Sequence, residues 1–105
     1  MKLEITVNGQ APVRVIVVKG DVDMDSSPEL RDEIKRTLKG LATLKLDLRD
    51  VGYIDSSGIA VLIQGLKWAK ASRTDFRLVA PSAQVRSVME LSQLQSLFPT
   101  DEAGA

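Results

Sequence analysis

Polar and apolar residues alternate from Lys2 to Val7, with Leu3, Ile5 and Val7 on one side and Lys2, Glu4 and Thr6 on the other. A period of two predicts a half-buried strand. Asn8-Gly9-Gln10 is a turn signal, with Pro12 at the edge of the next segment. Val13–Val18 is almost wholly β-branched, as in a strand covered on both faces. The two strands predict an antiparallel hairpin. Ser26-Ser27-Pro28-Glu29 then reads as a helix start. Ser26 or Ser27 caps, Pro28 fits the first turn, and Glu29 completes a capping box with Ser26. Leu30, Ile34, Leu38 and Leu41 form one apolar stripe, and Gly40 is a stop.

Leu44, Leu46 and Leu48 alternate with Lys45 and Asp47, predicting a third strand. Asp55-Ser56-Ser57-Gly58 opens a long helical pattern running to about Ala71. Phe76, Leu78 and Val79 make a fourth strand. Pro81-Ser82 opens a helix with Val85, Val88, Met89 and Leu91 inward. Leu94, Leu97 and Phe98 close the domain as a short final helix. Thr100–Ala105 reads as a frayed polar tail. The order β-β-α-β-α-β-α-α predicts one α/β domain over residues 1–105, with a mixed four- to five-stranded sheet. Parallel crossovers bring strand carboxyl ends to one edge. The loops Gly20–Ser27, Val51–Ser57 and Ala80–Ser82 should converge there, the usual working edge of α/β domains.

Composition narrows the function. The chain has 105 residues, enough for one compact domain. Fourteen Lys and Arg balance fourteen Asp and Glu, so charge offers no reason to expect nucleic acid or an anionic membrane as partner. No run of 18 apolar residues and no signal-peptide pattern occurs. With no Cys and no such segment, a cytoplasmic protein is expected. The lack of His removes a Ser-His-Asp system and any imidazole ligand. No Ser-x-x-Lys follows Ser57, and no Gly-x-x-x-x-Gly-Lys occurs. Asp21, Asp23 and Asp25 lack the register of a calcium loop. They read as a solvated loop and partner surface. A receiver domain phosphorylated on Asp55 would need five-fold βα alternation, whereas this chain starts with a hairpin.

The Asp55–Gly58 tetrapeptide sits where a strand meets a helix. At about 100° per residue, Ile59, Leu62, Ile63 and Leu66 form the buried stripe. Ser57 lies roughly opposite, about 160° away. Val61, Gln64 and Trp68 share its side, while Ser56 points nearer the core flank. If one hydroxyl faces a partner, this geometry favours Ser57. A helix N-terminus tolerates added negative charge. Asp and Ser are also good N-caps, so alone the tetrapeptide is only a helix cap, and Trp68 an exposed aromatic.

The wider pattern, from Ile5 to Phe98, resembles the STAS domain of bacterial anti-sigma factor antagonists, also called anti-anti-sigma factors. Gly20-Asp21-Val22-Asp23, with Ser27 and Glu29-Leu30, resembles that family's acidic loop and first helix. Tyr53-Ile54-Asp55-Ser56-Ser57-Gly58-Ile59-Ala60 is similar to its Asp-Ser-Ser-Gly signature. The resemblance implies a non-enzymatic regulator phosphorylated on the second serine of the motif, Ser57. It implies an anti-sigma factor that is also a serine kinase, with a histidine-kinase-like ATPase fold. The unphosphorylated antagonist binds this kinase, the phosphorylated form is released, and a metal-dependent serine phosphatase resets it. ATP and Mg²⁺ then belong to the kinase, and the chain itself needs no cofactor or metal. Asp23 matches a family residue implicated in kinase contact. The expected partner surface comprises Asp21, Asp23, Asp25, Asp55, Ser56, Ser57, Gly58, Val61, Gln64 and Trp68. The sequence departs from the family at Gln93, where Gly often follows Leu-Ser/Thr, and at Arg73-Thr74-Asp75, where Gly-Gly is common. Related modules also serve lipid-transport complexes, so an accessory subunit of an ABC-type transporter is the alternative role.

Overall fold

The computed structural model describes residues 3–102. Strand β1 (Glu4–Gln10) and strand β2 (Val13–Val22) pair antiparallel. Helix α1 (Ser27–Thr37), strand β3 (Thr43–Ile54), helix α2 (Ser56–Ala71) and strand β4 (Asp75–Val79) follow. Helix α3 (Ala83–Leu91), a 3₁₀ turn (Gln95–Leu97) and strand β5 (Thr100–Asp101) complete the chain. The five strands lie in sequence order, and β2 through β5 are parallel. Every parallel crossover therefore steps the same way across the sheet. Right-handed crossovers then place all three helices on one face.

The burial pattern follows from that arrangement. Leu44, Leu46 and Leu48 are fully buried beneath the helices, whereas Lys45 and Asp47 between them are half-exposed. Ile16, Val18 and Val22 are buried in β2, and Leu30 and Ile34 of α1 meet them in the same core. Val15 and Val17 are only half-buried. The expectation that β2 is covered on both faces is thus corrected: crossovers moving in one direction cover a single face. The open face carries charge instead. Arg77 bonds Asp101 at 2.9 Å and Asp75 at 3.4 Å, and Lys45 approaches Asp101 at 3.5 Å. These contacts hold the Asp101 carboxyl below the usual carboxylate range, chiefly through the Arg77 hydrogen bond.

Several boundaries move. β1 runs through Asn8-Gly9-Gln10, and the hairpin turns at Ala11-Pro12 instead. Lys2 lies outside the described residues. Ser26 is the N-cap of α1, but its hydroxyl makes no capping bond, so the capping box does not form. Leu91 is 86% exposed rather than inward; six residues beyond Val85 on a helix, it has turned well away from the buried side. Thr100 and Asp101 are not frayed. They pair with Leu78 and Val79, and the Ala80 N–H donates to the Asp101 carbonyl at 2.7 Å. Backbone pairing and two cations order a segment with no apolar pattern. Residues 103–105 lie outside the described residues. Among the described residues, no helix is long and apolar enough to cross a membrane.

Both departures from the family pattern fall at helix ends with left-handed backbone. Arg73 (φ 59°) follows α2, and Gln93 (φ 58°) follows α3. The Thr74 N–H returns to the Ala69 carbonyl at 2.8 Å, and the Leu94 N–H to the Met89 carbonyl at 2.9 Å. This geometry is where glycine ends helices without a Cβ penalty. Arg73→Gly and Gln93→Gly should each raise stability by up to about 1 kcal/mol in urea denaturation, since the relieved strain exceeds the added unfolded-state freedom. Asp101→Ala should lower the melting temperature at pH 7. Because the folded-state pKa is depressed, that loss should fade as pH falls below about 4, where the wild-type carboxyl takes up its proton.

Candidate functional site

The site is built where β2 and β3 end. Val22 pairs with Ile54 in the last register position of the two strands. The Asp55 N–H then donates to the Val22 carbonyl at 3.2 Å. Asp55 stays extended (φ −115°, ψ −170°) and turns its carboxylate over the start of α2. One oxygen, Oδ1, accepts the Ser57 N–H at 2.9 Å and the Gly58 N–H at 3.3 Å. Two N–H groups left over at the helix start are thereby satisfied. Asp55 is a structural cap as well as part of the surface.

Gly58 is buried, which corrects its place on the expected partner surface. A Cβ there would lie 2.5 Å from Ile54 Cγ1, 2.8 Å from Val22 Cγ1 and 2.9 Å from the Val22 carbonyl oxygen. The missing side chain lets the first turn of α2 seat directly on the strand ends. Gly58 acts by packing.

Ser56 and Ser57 occupy the first two positions of α2. Ser56 is exposed and Ser57 half-buried. Neither hydroxyl takes part in a hydrogen bond among the described residues. Helix-wheel angles ranked Ser57 as the more open of the two; the structure reverses that order. The first turn sits on the ends of β2 and β3, so the neighbours there, and not angles taken from the helix body, decide burial.

On the rest of the face headed by Ser57, the place of Val61 is also corrected. Val61 is 8% exposed and belongs to the core. Gly65, next along α2, lies close to Ile34 Cγ2 of α1. Gln64 is half-buried. Trp68 packs against the core, with the Lys35 ammonium of α1 5.7 Å from its ring centroid. Trp68 also stands about 16 Å along the helix from Ser57, at ~1.5 Å per residue. The second face of α2 is therefore largely its seam with α1. A helical wheel gives an angle but does not say which neighbour lies there.

The acidic loop beside the cap is ordered by its own hydrogen bonds. Asp23 Oδ1 accepts the N–H groups of Asp25 and Ser26, each at 3.0 Å. The Ser26 hydroxyl accepts the Asp23 N–H at 3.0 Å and lies 2.7 Å from the Asp21 carbonyl and 3.1 Å from Asp23 Oδ1. The Ser26 N–H is the main reason the Asp23 carboxyl sits below its usual range. Asp21 and Tyr53 are register partners, so this loop and the end of β3 adjoin. Asp21 and Asp23 are half-buried and Asp25 exposed. Among the described residues, no three carboxylates gather as a metal site.

The third loop closes the edge. The Ser82 hydroxyl donates to the Val51 carbonyl at 2.6 Å, and Gln84 Oε1 accepts the Ile54 N–H at 2.7 Å. The three loops converge as their topology predicts, although β2 and β3 run further than expected and shorten two of them. Sequence reasoning missed Gln84, and nothing in its neighbourhood signals the contact. It also missed Met24 and Tyr53, which are 73% and 45% exposed at this edge. An apolar residue between Asp23 and Asp25 was the available signal.

Residues 4–103 match the STAS domain family. The chain belongs to the STAS domain family. It is 26% identical over 81 residues to an anti-sigma-B factor antagonist of Bacillus subtilis, covering 77% of this chain and 74% of the relative. A crystal structure of an anti-sigma factor antagonist from Mycobacterium paratuberculosis superposes with a TM-score of 0.83 at 26% identity, covering 95% of this chain and 86% of that one. The Bacillus cell-fate determinant SpoIIAA in its phosphorylated form shares the fold, with a TM-score of 0.75 at 19% identity over 95% of this chain and 91% of that one. This STAS domain is thus similar over most of its length to regulatory proteins.

Gly58→Ala should destabilise the domain by roughly 1–3 kcal/mol, the usual range for overpacking. The close approach to the Val22 carbonyl leaves rigid backbone to give way. Thermal melting of the purified variant checks this; an unchanged melting temperature would contradict the seating of α2.

Proposed function

We propose that this STAS domain is an anti-sigma factor antagonist whose affinity for its anti-sigma factor is switched by phosphorylation of Ser57. The observation that carries the proposal is a serine hydroxyl with no hydrogen bond among the described residues, held at the capped start of α2 on the working edge. Burial does not favour Ser57 over Ser56. The choice of Ser57 follows the family motif, in which the second serine takes the phosphate. The antagonist relatives support this role over a lipid-transport subunit.

The partner is an anti-sigma factor that transfers phosphate from ATP, and a serine phosphatase reverses the step. Phosphate adds about 1.5 to 2 negative charges at neutral pH. The partial positive charge at the start of α2 offsets part of that charge within the chain. Asp25 and Asp55, in the two loops that meet at this edge, already make it acidic. An added dianion there increases bulk and changes charge at the interface, while β2, β3 and their core are untouched. Release of the partner then needs no unfolding.

Binding of the cognate anti-sigma factor, measured by calorimetry, tests this. Ser57→Ala should bind like the wild type, and Ser57→Asp at least about tenfold more weakly, as expected for a charge placed in a fitted interface. Mass spectrometry after incubation with ATP and the kinase should find phosphate on Ser56→Ala and none on Ser57→Ala. The reverse pattern would move the switch to Ser56, and equal affinities for Ser57→Ala and Ser57→Asp would reject it.

A further inference from the structure

Met24 is an apolar side chain that the fold does not use. It is 73% exposed, yet it sits in one of the most fully bonded turns of the chain. Residues 23–26 join β2 to α1, and within that turn Asp23 Oδ1 accepts two backbone N–H groups while the Ser26 hydroxyl donates to the Asp21 carbonyl. A flexible loop could tuck a methionine against the core. Here the turn is fixed and the side chain is left in water. Tyr53, 45% exposed, stands on the neighbouring strand end, where its register partner Asp21 leads into the same turn. Among the described residues the other large exposed hydrophobics lie elsewhere: Val13 at the start of β2, Leu91 at the end of α3 and Leu97 beyond it.

Building on the function proposed above, we infer that Met24 and Tyr53 are the apolar anchors of the anti-sigma factor contact, with Asp23 a positioning residue that holds Met24 outward. The Asp23 carboxylate is already engaged by the Asp25 and Ser26 N–H groups. Its effect on binding runs through the shape of the turn. Two exposed apolar groups, with Asp25 and Asp55 in the same pair of loops, fit one kind of surface: an apolar pocket rimmed by Lys and Arg side chains. Holding the anchor rigid before contact reduces the ordering cost of association.

A double-mutant cycle against the cognate anti-sigma factor, using the unphosphorylated chain, tests this. Met24→Ala and Tyr53→Ala should each weaken binding about tenfold or more, the effect of losing an interface anchor, with melting temperatures unchanged. Asp23→Ala should also weaken binding, and adding Met24→Ala to it should cost little more, because both remove the same contact. Losses that multiply would show that Asp23 itself touches the partner and overturn its positioning role. Wild-type affinity for both Met24→Ala and Tyr53→Ala would overturn the anchors. If Ser57→Asp still releases the partner in that case, the switch stands and only this inference fails. A wild-type chain that binds no anti-sigma factor overturns both.

Discussion

The first turn of α2 rests on the ends of β2 and β3 with no side chain between them. Gly58 makes this possible, because any Cβ would collide with Val22 and Ile54. Asp55 completes the joint, its backbone N–H tied to Val22 and its carboxylate to the Ser57 and Gly58 N–H groups. Position and direction of the helix are thus set within the turn that carries the two serines. A hydroxyl offered to another protein needs such a fixed base, since a fitted contact is sensitive to small displacements.

The same joint separates modification from folding. The core lies beneath the sheet's covered face, where Leu46, Leu48, Leu62 and Leu78 are wholly buried. The serines lie at the start of α2, Ser56 exposed and Ser57 half-buried. The open face of the sheet is stabilised separately, by Asp101 between Arg77 and Lys45. In the proposed switch, charge added at the edge acts on whatever faces Ser57 and leaves packing intact. The acidic turn beside it is held by hydrogen bonds within the chain, from Asp23 and Ser26 to their neighbours.

Much of this was legible in residue types. Alternating leucines in β3 and the Asp-Ser-Ser-Gly cap are direct expressions of strand burial and helix-end bonding, so element order and loop convergence followed. Other features depend on neighbours that no local pattern names. Val61 and Trp68 share a helix face with Ser57, but only the structure shows that α1 covers that face. Gly58 reads as motif and proves to be packing. β5 has no apolar signature because backbone pairing and two cations order it. Arg73 and Gln93 stand where glycine suits the backbone better. Their departure from the family pattern was visible, and its left-handed geometry was not.

Amide hydrogen exchange, compared between the unphosphorylated chain and the chain carrying phosphate on Ser57, tests the central claim most directly. The account predicts altered exchange only in the first turn of α2 and the adjoining acidic turn, with protection in β2, β3 and the body of α2 unchanged. Loss of protection across those strands on phosphorylation would contradict it, because the modification would then be acting on the fold instead of the surface.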